Sequence, residues 1–364
     1  MIAAVEPIRV MVVDDSTVIR GLLARIIESQ PDLRVVASVA NGRTAVEMLR
    51  LRPVDVVLLD IEMPEMDGLT ALPLLLAERP GLRVIMASSL THKGAQVTMR
   101  ALALGASDYI PKPSAMTGVG GLATISDELV RKIRALGRTQ ERPKDAPALR
   151  VTERPSAPPR AEAPGGAPEA PQVLAIAAST GGPNALAQLL SGLPRDFPLP
   201  TIIVQHMPPF FTAALAERLQ RETGRPCREA VHGEVIEGGR TYIAPGDHHM
   251  TVMTDEGRPV LRLDQGPHVN YCRPAADPML CSVAHVYGRG ALAVVLTGMG
   301  EDGLGGCREI FRHGGRIVVQ DQASSTVWGM PGAVWRAGLA GAALPLSELA
   351  DRVLQMAAAS GSPV

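Results

Sequence analysis

Short aliphatic runs alternate with longer amphipathic stretches along the chain, and glycine, proline and polar residues collect at the junctions. Apolar runs bounded by turn formers read as strands buried on both faces, and segments with three- and four-residue apolar spacing read as helices. In the first half this pattern predicts strands at Ile8–Val13, Leu33–Val39, Val54–Leu59, Arg83–Ala87 and Asp108–Ile110, with a helix over Thr17–Glu28. In the second half it predicts strands at Val173–Ala178, Thr201–Gln205, Thr241–Ala244, Ala291–Thr297 and Arg316–Val319. Strand–helix alternation builds βα units, so each half is expected to be α/β with a mostly parallel sheet.

The pattern breaks between Gly137 and Pro171, where 35 residues hold eight prolines, seven alanines and eleven charges. Such a stretch cannot form a core, and its prolines favour extended backbone. It reads as a tether over residues 137–171, leaving a domain of residues 1–136 and another of 172–364.

Composition narrows the functional classes. A chain of 364 residues that is 46% hydrophobic is neither disordered nor fibrous. A formal charge of −1 supplies no footprint for nucleic acid or anionic lipid. Cys227, Cys272, Cys281 and Cys307 match neither CxxC pairs nor a disulfide framework, so they read as small hydrophobes in a reducing compartment. The sequence shows no membrane-spanning run and no signal-like N-terminus, so a cytoplasmic protein is expected.

Asp14 and Asp15 follow the first predicted strand, Asp60 the third and Lys112 the fifth. The carboxyl ends of an open parallel sheet share one edge, so these residues converge on one pocket. Crowded carboxylates imply an oxygen-seeking divalent cation, Mg²⁺ above all, with Lys112 balancing the remaining charge. A carboxylate beside such a cation can accept a phosphoryl group, and Ser88 after the fourth strand would meet the new phosphate. The plainer alternative makes Asp14 and Asp15 helix caps and Asp60 an ordinary strand end. The joint occurrence of VVDDS, LLDIEMPEMDG, ASSLT and YIPKP weighs against it. On these motifs residues 7–136 resemble the flavodoxin-like receiver domain of two-component response regulators. The resemblance implies that a histidine kinase phosphorylates Asp60 and that Asp14, Asp15, Asp60 and the Glu62 carbonyl hold Mg²⁺. It further implies that Ser88, Tyr109 and Lys112 transmit the change, and that Lys112–Pro113 is a cis peptide, which proline permits.

In the second half, VLAIAASTGGPNAL reads as a buried strand, a tight turn and a helix starting near Pro183, with Ser179 at the turn. Gly181 and Gly182 lack Cβ atoms, so a substrate could approach the backbone and the helix N-terminus. A phosphate cradle is a rival reading, but GxGxxG and the Walker lysine are both absent. A turn that merely shapes the strand exit is another. His206 in QHMPP and Asp302 in LTGMGEDGLGG also follow strands, which makes a serine, base and carboxylate constellation geometrically feasible. The order Ser, His, Asp and the missing GxSxG elbow separate it from α/β-hydrolases. Met299 could offer a backbone N–H to an oxyanion. The adjacent His248 and His249 could be metal ligands, but no HExxH accompanies them, and rim or substrate contacts are the expectation.

Together, IAASTGGP, VQHMPPFFTAALAERL, YIAPGDHHM, LTGMGEDG and QDQASSTVWGMPG resemble the catalytic domain of the chemotaxis protein-glutamate methylesterase family. With receiver and tether, the likeness spans nearly the whole chain. It implies a doubly wound, mostly parallel esterase domain and a phosphorylation-activated carboxylic ester hydrolase. Its substrates would be glutamate γ-methyl esters on chemoreceptor cytoplasmic domains, with deamidation of receptor glutamines as a second activity. Ser179 becomes nucleophile, His206 base and Asp302 its orienter, with Thr180 and the Met299 backbone at the oxyanion and no cofactor for the esterase. An unphosphorylated receiver would cover the esterase cleft. Ala177, Phe210 and Trp328 stand where the family usually has Gly, Gly and Tyr; Ala275 and Ala276, beside Arg273, replace a common Ser and Val. Two alternatives are a DNA-binding output, disfavoured by a net-acidic αβ second half, and a non-catalytic receptor-docking scaffold.

Overall fold

Burial on both faces explains why an inner strand of the first half such as Val56–Asp60 is a continuous aliphatic run, whereas the half-exposed Leu33–Val39 mixes in Arg34 and Ser38. The computed structural model describes residues 6–112, 119–137 and 169–358, which fall into two compact units. Most of the expected tether, and the Lys112–Pro113 peptide, lie outside the described residues.

In the first unit, β1 (Ile8–Val13), β2 (Leu33–Val39), β3 (Val56–Asp60), β4 (Arg83–Ser88) and β5 (Asp108–Pro111) form one sheet, ordered β2-β1-β3-β4-β5. All its pairings are parallel, which is the flavodoxin-like arrangement. The helices are α1 (Thr17–Glu28), α2 (Gly42–Leu51), α3 (Gly68–Glu78), α4 (His92–Ala103) and α5 (Val119–Gly137). Side chains of Ser16, Asn41, Asp67 and Thr91 cap the first four by accepting a backbone N–H. The cap of α1 is therefore Ser16, not Asp14 or Asp15, and both aspartates remain available to the sheet edge.

The second unit runs β6 (Val173–Ala178), α6 (Gly182–Ser191), β7 (Thr201–Gln205), α7 (Phe211–Thr223), β8 (Cys227–Glu229) and β9 (Thr241–Ile243). It continues through β10 (His249–Asp255), β11 (Arg258–Asp264), α8 (Ala276–Tyr287), β12 (Ala291–Val295) and α9 (Leu304–Arg312). It closes with β13 (Arg316–Gln320), α10 (Met330–Arg336), β14 (Ala342–Leu344) and α11 (Leu346–Ala358). Seven strands form a parallel sheet ordered β14-β13-β12-β6-β7-β9-β8. From β6 the chain winds outward through β7, then returns to β12 on the other flank. The direction reverses between β6 and β12, and the carboxyl ends of these strands bound the crevice where such sheets place sites.

Predicted and observed strands agree to within a residue or two at their ends. The short edge strands β8 and β14 go unpredicted, as does the antiparallel β10–β11 hairpin outside the main sheet. Its sequence, HMTVMTDEGRPVLRLD, turns through Glu256 and Gly257, both at positive φ. Two central residues of that kind make the reversal that suits a two-residue hairpin.

Candidate active site

Ser179 leaves β6 and His206 leaves β7 one residue beyond the paired Ala178 and Gln205, so the two are lateral neighbours. The His206 N–H donates to the Ala178 carbonyl at 3.1 Å, and the Gln205 side-chain amide donates to the Ser179 carbonyl at 2.9 Å. From the other side, the Ser179 N–H donates to Thr297 just past β12, at 3.0 Å. Gly298 presses against Ser179, since a Cβ built there would lie 2.9 Å from the serine Cβ. The serine is thus fixed by strands on both flanks, while it remains half-exposed.

The loop after β12 carries Asp302 to His206, whose Nε2 lies 2.7 Å from Asp302 Oδ2. Asp302 is 2% exposed and accepts three further hydrogen bonds: the Ala276 N–H at 2.5 Å, the Asp277 N–H at 3.2 Å and the Asn270 amide at 2.8 Å. Two of these donors are the free N–H groups that open α8. Burial pushes the carboxyl up, but the hydrogen bonds and the imidazole outweigh it and hold Asp302 below the ordinary range. Its anion orients the ring.

His206 Nδ1 faces Cys272, with Sγ at 3.5 Å. No hydrogen bond joins the Ser179 hydroxyl to the ring among the described residues. Burial lowers the affinity of the imidazole for a proton, yet Cys272 and Asp302 together push it up.

Several expectations change. A Cβ on Gly181 would meet Thr326 Oγ1 at 2.3 Å and one on Gly182 would meet Gln205 Oε1 at 1.9 Å. The protein itself fills that space, so these glycines serve close packing rather than substrate approach. His249 is not a rim residue: it is 4% exposed, its Nε2 meets the Pro267 carbonyl at 2.9 Å and its Nδ1 accepts the Ala275 N–H at 3.3 Å. It braces the start of α8. His248 is half-buried over the Gly246 carbonyl. Arg273 is bound by Asp247 and by the carbonyls of Gln265 and Gly266. Phe210 sits at φ 72°, a left-handed backbone that favours the glycine usual in the resembling family. Thr180 is buried with its hydroxyl unpartnered beside Ser179, and Met299 is half-buried next to Gly298.

In the first unit, carboxylate oxygens of Asp14, Asp15 and Asp60 lie within 4.8 Å of one another. Lys112 Nζ stands 2.5 Å from Asp60 Oδ1 and 3.1 Å from Asp14 Oδ2. Asp60 Oδ2 is buried without a hydrogen-bond partner, a state that suits an oxygen-seeking cation. Burial raises the Asp60 carboxyl to about 6 against the pull of Lys112, and Asp14 adds to the rise. Glu62 follows two residues later with its side chain exposed and paired with Lys93. The Ser88 hydroxyl donates to Gly94 O at 3.2 Å, and the buried Tyr109 ring lies 5.0 Å from Lys132 Nζ.

A flavodoxin-like unit with an acidic edge, joined to a doubly wound unit with serine, histidine and aspartate at its switch point, defines a response regulator with a hydrolase output. Comparison with known proteins agrees: residues 174–353 match the CheB methylesterase family and residues 10–119 the response regulator receiver domain. The chain is 50% identical to protein-glutamate methylesterase/protein-glutamine glutaminase 1 of Paramagnetospirillum magneticum, covering 98% of this chain and 97% of that one. It is 48% identical to a protein-glutamate methylesterase/protein-glutamine glutaminase of Azospirillum brasilense, with 97% and 93% covered. The crystal structure of the Thermotoga maritima CheB methylesterase catalytic domain superposes with a TM-score of 0.50 at 37% identity, covering 51% of this chain and 99% of that one. The chain belongs to the CheB family of protein-glutamate methylesterases.

Proposed function

We propose that this chain is a phosphorylation-activated protein-glutamate methylesterase and protein-glutamine glutaminase that acts on chemoreceptors in chemotactic adaptation. The observation that carries the chemistry is the 2.7 Å contact between His206 and the buried Asp302, beside Ser179 at the switch point. His206 takes the Ser179 proton as Oγ attacks the γ-ester carbonyl carbon. For this the ring nitrogen facing Cys272 must reach the hydroxyl, by rotation of two side chains already on adjacent strand exits. The tetrahedral oxyanion is met by Thr180 and the Met299 backbone. His206 then returns the proton to the departing methanol, or to ammonia when the substrate is glutamine. Water, deprotonated by the same imidazole, hydrolyses the acyl-enzyme and restores Ser179.

The first unit, residues 1–136, is the phosphoacceptor, and residues 137–171 are its tether to the hydrolase of residues 172–364. A histidine kinase is the phosphodonor and Asp60 the acceptor. Asp14, Asp15, Asp60 and the Glu62 carbonyl would hold Mg²⁺, which when bound offsets charge on the transferring phosphoryl group. Lys112 already offsets two of those carboxylates, and Ser88 turns from Gly94 to the phosphate. Among the described residues no helix is long and apolar enough to cross a membrane, and we place the protein in the cytoplasm beside the receptors' cytoplasmic domains.

The test is methanol release from methylated receptor. Ser179→Ala is expected to abolish it while the circular dichroism and melting temperature stay those of the parent. Persistent release would remove Ser179 from the reaction.

A further inference from the structure

Asp302 and Cys272 divide the His206 ring between them, the carboxylate at Nε2 and the thiol at Nδ1. An ionised carboxylate can only accept, so Nε2 keeps its proton and Nδ1 is the nitrogen that carries a lone pair in the neutral ring. That lone pair is the one a serine hydrolase turns on its nucleophile. Here it meets sulfur, while the serine hydroxyl waits on the adjacent strand exit.

The contact is built into the backbone. Val269 and Cys272 exchange hydrogen bonds at 3.1 and 2.9 Å, closing a turn over Asn270 and Tyr271, both left-handed at φ 51° and 65°. From this turn the Asn270 amide bridges Asp302 Oδ1 and Asp277 Oδ2 at 2.8 and 2.9 Å. One turn therefore clamps the carboxylate and delivers the thiol to the same ring. Cys272 is half-exposed, whereas Cys227 and Cys307 are buried.

We propose that Cys272 competes with Ser179 for Nδ1 of His206 and is thereby a positioning residue of the hydrolase. The proposal rests on the assignment of Ser179 and His206 made above. The titratable groups facing the ring are Cys272 and Asp302. Asp277 stands behind Asp302, and the neighbouring Arg273 is neutralised by Asp247. When the ring is charged, both nitrogens donate, one to the carboxylate and one to the sulfur. Burial opposes that charged form, and Cys272 and Asp302 together favour it. Removing the sulfur lets the ring lose its proton at lower pH, so the acid limb of the rate profile moves down.

Two measurements on the full chain test this. In Cys272→Ala the acid limb of kcat for methanol release is expected to fall by about one pH unit or more, with KM unchanged. Cys272→Ser, which keeps a donor but no readily ionised group, is expected to lie between the two. Independently of hydrolysis, iodoacetamide labelling read by peptide mass is expected to modify Cys272 about fivefold or more slowly in His206→Gln at pH 7, because the sulfur loses the imidazole that faces it. Unchanged labelling in His206→Gln overturns the proposal, as do superimposable rate profiles for the parent and both Cys272 variants. A parent that releases no methanol refutes the esterase reading, and the labelling result still decides the thiol–imidazole contact.

Discussion

Asp302 holds its charge against burial because four donors converge on it, and only one of them is the histidine it orients. Asp302→Asn keeps the shape but reverses half of that hydrogen bonding. It is expected to lower kcat by about 10³–10⁴-fold in the methanol assay, the scale seen when a triad carboxylate becomes an amide. The sign of its effect on stability follows from the depressed pKa. The folded state favours the ionised form, so the contribution is full above the ordinary carboxylate range and disappears as pH falls through the folded value. Melting temperatures recorded between about pH 6 and 3 should therefore decline less steeply in Asp302→Asn than in the parent. Asp14, Asp60, Ser179 and His206 could be placed at the sheet edge from sequence, because each ends or directly follows an aliphatic strand, and Asp302 because its loop leaves the end of β12; parallel sheets bring such positions together. Cys272 could not. Its partner lies 66 residues away, and the Asn270–Tyr271 turn that joins them has no glycine to announce its left-handed backbone.

Among the elements, strands that read as runs of β-branched, aliphatic or aromatic residues were legible, the edge strands β2 and β5 included, whereas β8 and β14 were not. β6 and β12 are buried along their whole length and read as unbroken aliphatic runs. β8 and β14 are three residues each, and neither CRE nor AAL holds the β-branched or aromatic residues that mark the equally short β9, TYI. The β10–β11 hairpin did carry a signal in its Glu256–Gly257 turn, but a reading built on strand–helix alternation passes over an antiparallel pair. Gly257 at φ 77° is where that hairpin is most exposed to substitution. Gly257→Val forces a β-branched residue into left-handed backbone and is expected to cost about 1–2 kcal/mol. Urea unfolding followed through Trp328 and Trp335, which both lie in the second unit, would report it.

At the level of the whole molecule, the two units carry their own cores and sheets, and the Thermotoga maritima catalytic domain shows that the second kind of unit crystallises alone. Regulation by occlusion then makes a simple demand. A chain lacking residues 1–136 should release methanol faster than the unphosphorylated full-length protein and should ignore a small phosphodonor. Equal basal rates would discard occlusion. The support that α8 gives Asp302 does not depend on side chains. Peptide groups of Ala276 and Asp277, with Ala275 anchored on His249, make the grip, so nothing on their Cβ atoms is needed for it. A change of side chain at 275 or 276 is thereby silent to the carboxylate: mutation can rewrite the letters there while the charge they cradle stays put.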